Sequence, residues 1–338
     1  MVETERNLER LKDKKILILY SLPEEAVDDE TWIGEDVVKM AAEAIETLGV
    51  RVFIRAVVDS VEKAVEGFSP TETLILNWCE GLDGNPNDYS TVPFELGRLG
   101  FVYTGSDPVA LLRNDNKINL KDRLATRNLS TPKFFIYKGD RIPGWSLFPA
   151  LVKPVGEHAS CGITRESVVD NEVQMIARAE ELLETFGKGV LVEDFIDGPE
   201  YNLAIWGGDE LEVLPIPEID FTRMSDYHDR LVVYDAKWHE DSEGWEKTTV
   251  ICPAPMAEEV RRAVSELGIA AYQVMECRDY ARVDIRVRGK VPCVLDVNLN
   301  PDITVEGGFM RSAAVAGYTY GEMLVKILSL AVGRMELD

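Results

Sequence analysis

The sequence predicts a mixed α/β and α+β protein, and three observations point there. The 338 residues, 46% hydrophobic and 28% charged, are enough for two or three cored units. The first third alternates short apolar runs with amphipathic helices, and the remainder pairs strands across turns.

Ile16 to Tyr20 (ILILY) is apolar on both faces, as a strand inside a parallel sheet must be, and follows a lysine-rich helical arm expected to be exposed. Asp36 to Leu48 keeps helical spacing and stops at Gly49. Arg51 to Val58 and Leu74 to Trp78 supply further strands, so residues 1–105 read as an open α/β unit whose strand ends face a crevice. Tyr103 to Pro108 turns into a polar helix through Asn116 to Arg127. Strands at Pro149 to Lys153 and Gly189 to Glu193, separated by a helix over Glu172 to Phe186, define a smaller unit, 106–196. Between them the stretch from Gly156 to Gly162, small and polar, has the profile of a mobile loop.

The last unit, 197–338, carries strands at Tyr201 to Trp206 and Leu211 to Ile216. A long loop from Asp220 to Lys247 then frames one strand, Leu231 to Tyr234. A helix at Ala257 to Leu267, strands at Ala281 to Val287 and Val291 to Val297, and a helix at Thr319 to Ala331 complete it.

Sixty acidic against 36 basic residues give a formal charge of −24, which argues against partners held by phosphate-backbone neutralisation. We therefore expect no nucleic-acid and no membrane partner. No run reaches the roughly 18 apolar residues of a span and the start is charged, so a cytoplasmic protein is expected. The five cysteines are scattered and form no CxxC or Cys/His cluster, which suits small, mostly buried, reduced residues. Cys161, in a Ser-Cys-Gly turn, is the one placed where a working surface could be.

Asp284, Asp296 and Asn298 end two strands that a hairpin at Arg288-Gly289-Lys290 would pair. Period two puts Asp296 and Asn298 on one face, and Arg282 on the face of Asp284. Such hard oxygens suit magnesium, which keeps waters and bridges phosphates. The plainer alternative is a charge cluster that pairs with itself. Upstream, Lys153 leaves an apolar strand just before the small-residue loop, and a lysine there can hold phosphate oxygens while loop amides cover them. Glu193 ends another strand and leads into Phe195, Ile196 and Glu200, which offer faces for an adenine and a carboxylate for ribose hydroxyls.

The ordered stretches YTGSDP, NDNK, PALVKPVGEHASCGIT, GVLVEDFIDGPEYNLAI, VVYDAKW, ARVDIRV, LDVNLNPDIT and AVAGYTYGEMLVKIL resemble the ATP-grasp ligases, and within them the D-alanine–D-alanine ligases. The resemblance runs over residues 73–330 and is weaker before them. It implies an ATP-grasp fold behind an N-terminal open α/β domain. The implied reaction is ADP-forming: ATP converts a carboxylate to an acylphosphate, which an amine then attacks. It implies that Lys117, Lys153 and Lys237 contact the phosphates of ATP, that Ala159, Ser160 and Gly162 belong to the covering loop, and that Glu193, Phe195, Ile196 and Glu200 hold adenine and ribose. Asp284, Asp296 and Asn298 would bind a pair of magnesium ions, with manganese as the alternative, while Arg282 stabilises the transferring phosphoryl group. A homodimer acting on small molecules is implied too.

The substrate side departs from that pattern. Glu35 stands nearest to the family's Ser/Glu-bearing turn, Glu80-Gly81 replaces a His-Gly pair, and Trp238 replaces a tyrosine. Asp296 replaces a glutamate, Asp302 a glycine, and Gly307-Gly308 a Ser-Leu pair. Acid at Glu35, Glu80, Asp302 and Glu306 complements an ammonium or guanidinium, so neither substrate is expected to be D-alanine and at least one is expected to be cationic. The alternatives are that some of these acids face solvent, that the chain is a D-alanine–D-alanine ligase proper, or that it is a nucleotide-binding regulator without catalysis.

Overall fold

A computed structural model describes residues 2–22, 34–82, 88–114, 116–139, 142, 144–157, 160–232 and 248–336. Three sheets organise them. The first contains β1 (Lys15–Ser21), β2 (Val52–Val57), β3 (Thr73–Trp78) and β4 (Val102–Tyr103), all parallel in the order β2-β1-β3-β4. β1 is central: Ile18 lies opposite Ile54 on one side and Leu76 on the other. That is why its run is apolar on both faces. Helices α1 (Val2–Leu11), α2 (Glu35–Glu46), the short α3 (Val61–Ala64) and α4 (Thr91–Arg98) flank this sheet.

Helices α5 (Pro108–Asn114) and α6 (Lys117–Thr126) lead to the second sheet. It is antiparallel, made of β5 (Phe134–Tyr137), β6 (Ala150–Pro154), β7 (Val168–Val169) and β8 (Val190–Asp194) in the order β5-β8-β6-β7. Its one long helix, α7 (Glu172–Phe186), has the span that its periodicity predicts. Asn171 caps it by accepting the Gln174 N–H at 3.0 Å, and Gly187 at φ 69° ends it.

The third sheet holds β9 (Glu200–Gly207), β10 (Leu211–Val213), β11 (Glu218–Asp220), β12 (Thr249–Ile251), β13 (Asp279–Arg288) and β14 (Val291–Asn298), ordered β12-β11-β9-β13-β14 with β10 on β9. Helix α8 (Glu258–Val274) covers it, and α9 (Gly308–Val315) and α10 (Tyr320–Val332) close the described chain. The hairpin at Arg288-Gly289-Lys290 forms as expected, with Gly289 at φ 64°.

Several elements differ from the expectation. The N-terminal arm is packed rather than exposed: Leu11 and Asn7 are buried, Ser329 donates to Asn7 at 3.0 Å, and Lys326 pairs with Glu3. Its apolar stripe needs a partner, which α10 supplies although it lies at the other end of the sequence. Residues 108–126 share a core with the third sheet, through Ala110, Leu111, Leu120 and Leu124. α8 runs past Leu267 to Val274, and β10 stops at Val213. α9 has no forecast counterpart, since it opens on two glycines. Of the strand expected at Leu231 to Tyr234, Leu231 and Val232 are irregular and the rest lies outside the described residues.

Helix α10 is buried on nearly every side, with Met323, Leu324, Val325, Ile327, Leu328, Ala331 and Val332 all inside the first core. No single helix among the described residues is long and apolar enough to cross a membrane. α10 approaches α2 through Gly321, where an added Cβ would be driven into the Ala44 carbonyl, 3.0 Å from its carbon. Backbone cannot move aside as a side chain can. Gly321→Ala should therefore cost about 1–3 kcal/mol, seen as a lower melting temperature, and an unchanged melt would show that the two helices are not in close contact.

Candidate active site

A cleft of about 520 Å³ opens where the three sheets meet, and the strand ends, not the helices, supply most of its chemistry. On one side β6 and β8 place Lys153 and Glu193, paired at 2.6 Å. On another, β13 and β14 place Arg282, Asp284, Asp296 and Asn298, with Asp284 directly opposite Asp296 and Arg282 opposite Asn298. A bulge leaves Leu295 without a partner residue just beyond this pair, which interrupts regular pairing beside the site before it resumes at Ile285 and Val294.

Glu193 is the centre of a buried triad. Lys121, on α6, is completely enclosed and lies 2.8 Å from the same carboxylate, its ammonium also donating to Thr131 at 2.9 Å. Burial alone would raise Glu193, but Lys121 and then Lys153 outweigh it and hold the carboxyl at about 2. Lys117, one turn before Lys121, donates to the Glu157 carbonyl, and burial lowers its ammonium below the usual value while Asp296 opposes the shift.

The hinge after β8 is pinned by three arginines. Arg286 is buried, donates to Glu200 at 2.8 Å and to the Ile196 carbonyl at 3.2 Å, and lies over the rings of Phe195 and Phe221 at 5.3 and 4.9 Å. Arg288 grips both oxygens of Asp194 and the Phe195 carbonyl, and Arg230 reaches Asp197 at 2.9 Å. Tyr227 also packs near Phe195, and its neighbour His228 bonds Asp226 and Asp170 at 2.6 and 3.1 Å. Burial would lower His228, but the two carboxylates prevail and raise it.

Arg282 donates to both oxygens of Asp284, at 2.8 and 3.1 Å, and Asn202 and Asn298 donate to the same carboxylate at 2.8 and 3.1 Å. Burial would lower the guanidinium, but Asp284, Asp296 and Asp302 together raise it, so it stays cationic. Two aspartates facing each other beside an asparagine, all oxygen donors at the mouth of a cleft, fit a small hard cation that completes its shell with water and phosphate. Among the described residues no group of three or more His, Cys, Asp or Glu side chains forms an all-protein cage.

The cleft thus brings together Lys117, Lys153, Ser160, Glu193, Phe195, Ile196, Glu200, Arg282, Asp284, Asp296 and Asn298, and on the substrate side Glu80, Asp302 and Glu306. Two expectations change. Glu35 does not line it: as the first residue of α2 it is exposed and pairs with Lys39 one turn on, at 2.9 Å. Phe195 is 2% exposed, its ring taken up by Arg286 and Tyr227, so it has little face left for a base. Ser160, at φ 68°, donates to the Val232 carbonyl at 2.8 Å, and Cys161 is exposed at the same rim. Ala159, Lys237 and Trp238 lie outside the described residues.

Sequence reasoning missed Lys121 and Arg286. Both signals were present: Lys121 falls four residues after Lys117 on a helix, and Arg286 shares the face of Arg282 and Asp284 by period two.

The profile described as D-ala D-ala ligase C-terminus matches residues 137–329, more than half of the chain. The chain belongs to the D-alanine–D-alanine ligase family. An uncharacterized Sinorhizobium fredii protein, y4sG, is 30% identical over 263 residues, covering 77% of this chain and 75% of that one. The D-alanine–D-alanine ligase of Cupriavidus necator is 30% identical over 262 residues, 74% of each chain. The Bacillus anthracis D-alanine–D-alanine ligase complexed with ATP superposes with a TM-score of 0.70 at 20% identity, covering 96% of this chain and 99% of that one. The fold is therefore ATP-grasp, and the protein is an ADP-forming ligase of this type.

The triad makes a prediction about the ligase's acid stability. Because Glu193 is held below its ordinary 4.5, its contribution is fully present above pH 4.5 and is lost as pH falls toward 2. Glu193→Gln strands two buried ammonium groups and should cost about 3–5 kcal/mol at neutral pH. Melting curves from pH 6 to 3 check this; a variant as stable as the parent at neutral pH would remove the triad from the account.

Proposed function

We propose that this ligase uses ATP to activate a carboxylate as an acylphosphate and joins it to an amine, that neither substrate is D-alanine, and that at least one is cationic. The observation that carries the reading is one cleft lined by the cations Lys117, Lys153 and Arg282, by the oxygen donors Asp284, Asp296 and Asn298, and by the acids Glu80, Asp302 and Glu306. On this reading Lys117 and Lys153 hold the triphosphate as point charges, with Ser160 in the covering loop and, by resemblance, Lys237 above the terminal phosphate and Trp238 on the substrate side. The hinge through Ile196 takes the adenine, and Glu200 lies toward the ribose.

Asp284, Asp296 and Asn298 are the residues that would hold magnesium, or manganese, which when bound neutralises charge on the phosphates. In the first step a carboxylate oxygen attacks the γ-phosphorus, the bond to the bridging oxygen breaks, and ADP leaves. In the second, the amine nitrogen attacks the acyl carbon, the bond to the phosphate oxygen breaks, phosphate leaves with the electron pair, and the nitrogen loses a proton. Arg282, held in place by Asp284 but still facing the cleft, offsets charge developing on the transferring group and then on the acyl oxygen. An acylphosphate hydrolyses in water, so the covering loops must exclude it. The reading further takes the ligase to be a homodimer, dividing at 1–105, 106–196 and 197–338, acting on small molecules rather than nucleic acid or membrane, in the cytoplasm.

The test is ADP release across a panel of carboxylate and amine pairs, with hydroxylamine added to trap the acylphosphate as a hydroxamate. Turnover with basic amino acids or polyamines is expected, and Asp296→Ala should lower it by at least about 100-fold. Activity with D-alanine alone rejects the cationic substrate. ATP binding with neither ADP nor hydroxamate from any pair rejects the ligase reaction.

A further inference from the structure

Residues 221–232, which follow β11, lie as a strap against the second sheet. Their turn at Tyr227–Asp229 meets the turn at Arg165–Ser167, where Arg165 pairs with both Asp226 and Asp229. Leu231 shares a small core with Val168 of β7 and Phe195 of the hinge. Leu231 and Val232 line the cleft, and the Val232 carbonyl accepts from Ser160 at 2.8 Å. The strap is thus part of the cleft's wall.

His228 clasps the strap to the sheet. Its Nδ1 lies 2.6 Å from Asp226, on the strap, and its Nε2 lies 3.1 Å from Asp170, between β7 and α7. A neutral imidazole has one N–H and can donate to only one of these carboxylates, while its other nitrogen turns a lone pair toward the second. Both bonds form only in the imidazolium. Burial would lower the ring's pKa, but Asp226 and Asp170 raise it above the ordinary 6.5. Around the ring stand Tyr227, whose hydroxyl donates to Asp170, Arg165 facing Asp226 and Asp229, and Arg230 paired with Asp197. Asp170 holds the Tyr227 hydroxyl up at about 12. Carboxylates and guanidinium groups ordinarily titrate far from neutral pH, so the proton that moves there is the one on His228.

We infer that His228 is a positioning residue of the nucleotide site: as an imidazolium it clasps the strap to the second sheet, and nucleotide binds more tightly to the clasped form. This rests on the reading of the cleft as an ATP site and links a proton to it. A ligand lying against the docked strap favours the docked form, and by reciprocity the docked form favours the ligand. The clasp is fully formed below the ring's ordinary 6.5 and is lost as pH rises through the raised value. Affinity therefore falls toward alkaline pH, and nucleotide binding takes up part of a proton near neutrality.

Calorimetric titration of the full chain and magnesium with the ATP analogue AMP-PNP, from about pH 6 to about pH 9 in buffers of different ionisation heat, tests this. Over that range the parent should lose at least about threefold more affinity than His228→Gln, and should take up protons that the variant does not. The nucleotide's own titration is common to both proteins, as is that of Glu80, which burial and then Asp302 push up to about 7. Asp170→Asn keeps an oxygen at the clasp but removes one carboxylate, so in that variant the fall should begin at lower pH. In proton magnetic resonance the His228 Cε1–H signal is told from those of His158 and His239 by its loss in His228→Gln. It should titrate at higher pH with AMP-PNP than without. Proton uptake and pH dependence that His228→Gln leaves unchanged overturn the inference, as does a His228 signal indifferent to nucleotide. If AMP-PNP binds at no pH, the nucleotide reading falls and the inference with it; binding accompanied by either of those results strikes the clasp alone.

Discussion

One carboxylate shared by two buried ammonium groups holds this molecule's site together. Glu193 comes from β8, Lys153 from β6 and Lys121 from α6, a helix whose apolar face belongs to the core of the third sheet. The triad therefore ties the small second sheet to the third at the floor of the cleft. A buried ion pair is weak evidence for stability in itself, because removing two charges from water is costly. It does fix geometry. With Lys121 completely enclosed and satisfied by Glu193 and Thr131, the carboxylate has one oxygen left to orient Lys153 toward the opening.

The hinge repeats this logic with arginine. Arg286 sits between two aromatic rings and bonds a side chain and two backbone carbonyls, those of Ile196 and Arg230. Its planar fork can hold several acceptors at once, which a lysine could not. Arg230 in turn begins where the Asp226, His228 and Asp170 cluster ends, so the chain entering residues 233–247 is anchored to both the second and third sheets.

Most of the fold was legible where a single local rule decides the structure. ILILY is a central parallel strand because nothing else buries both faces, and Glu172 to Phe186 is a helix between an asparagine cap and a left-handed glycine. The side chains that the strand ends bring to the cleft, Lys153, Glu193, Arg282, Asp284, Asp296 and Asn298, were legible for the same reason, while Lys117, on a helix, came from the resemblance alone. What the sequence could not carry was long-range pairing. α1 looked like an exposed arm because its partner, α10, lies more than 300 residues away. Glu35 looked like a substrate ligand because it stands nearest to the family's Ser/Glu-bearing turn, yet its carboxylate turns along the helix to Lys39. Phe195 looked like an adenine platform until Arg286, from a different sheet, took its face.

The acidic balance of the chain acquires a direction inside the cleft. Lys117 lies near Lys153, Glu193 and Asp296, Arg282 near Asp284, Asp296 and Asp302, and Glu80 near Asp302, all lining one cleft. A polyanion entering the wrong way would place its phosphates among carboxylates, and an ammonium entering first would meet lysines. Charge alone thus orders the two ligands along one axis, before any shape is matched. The charge of Asp302 adds to those of Asp284 and Asp296 in keeping Arg282 cationic, so the two poles act on each other across the cleft. Between them the acyl carbon would sit, with phosphate leaving toward the cations and the amine arriving from the acids.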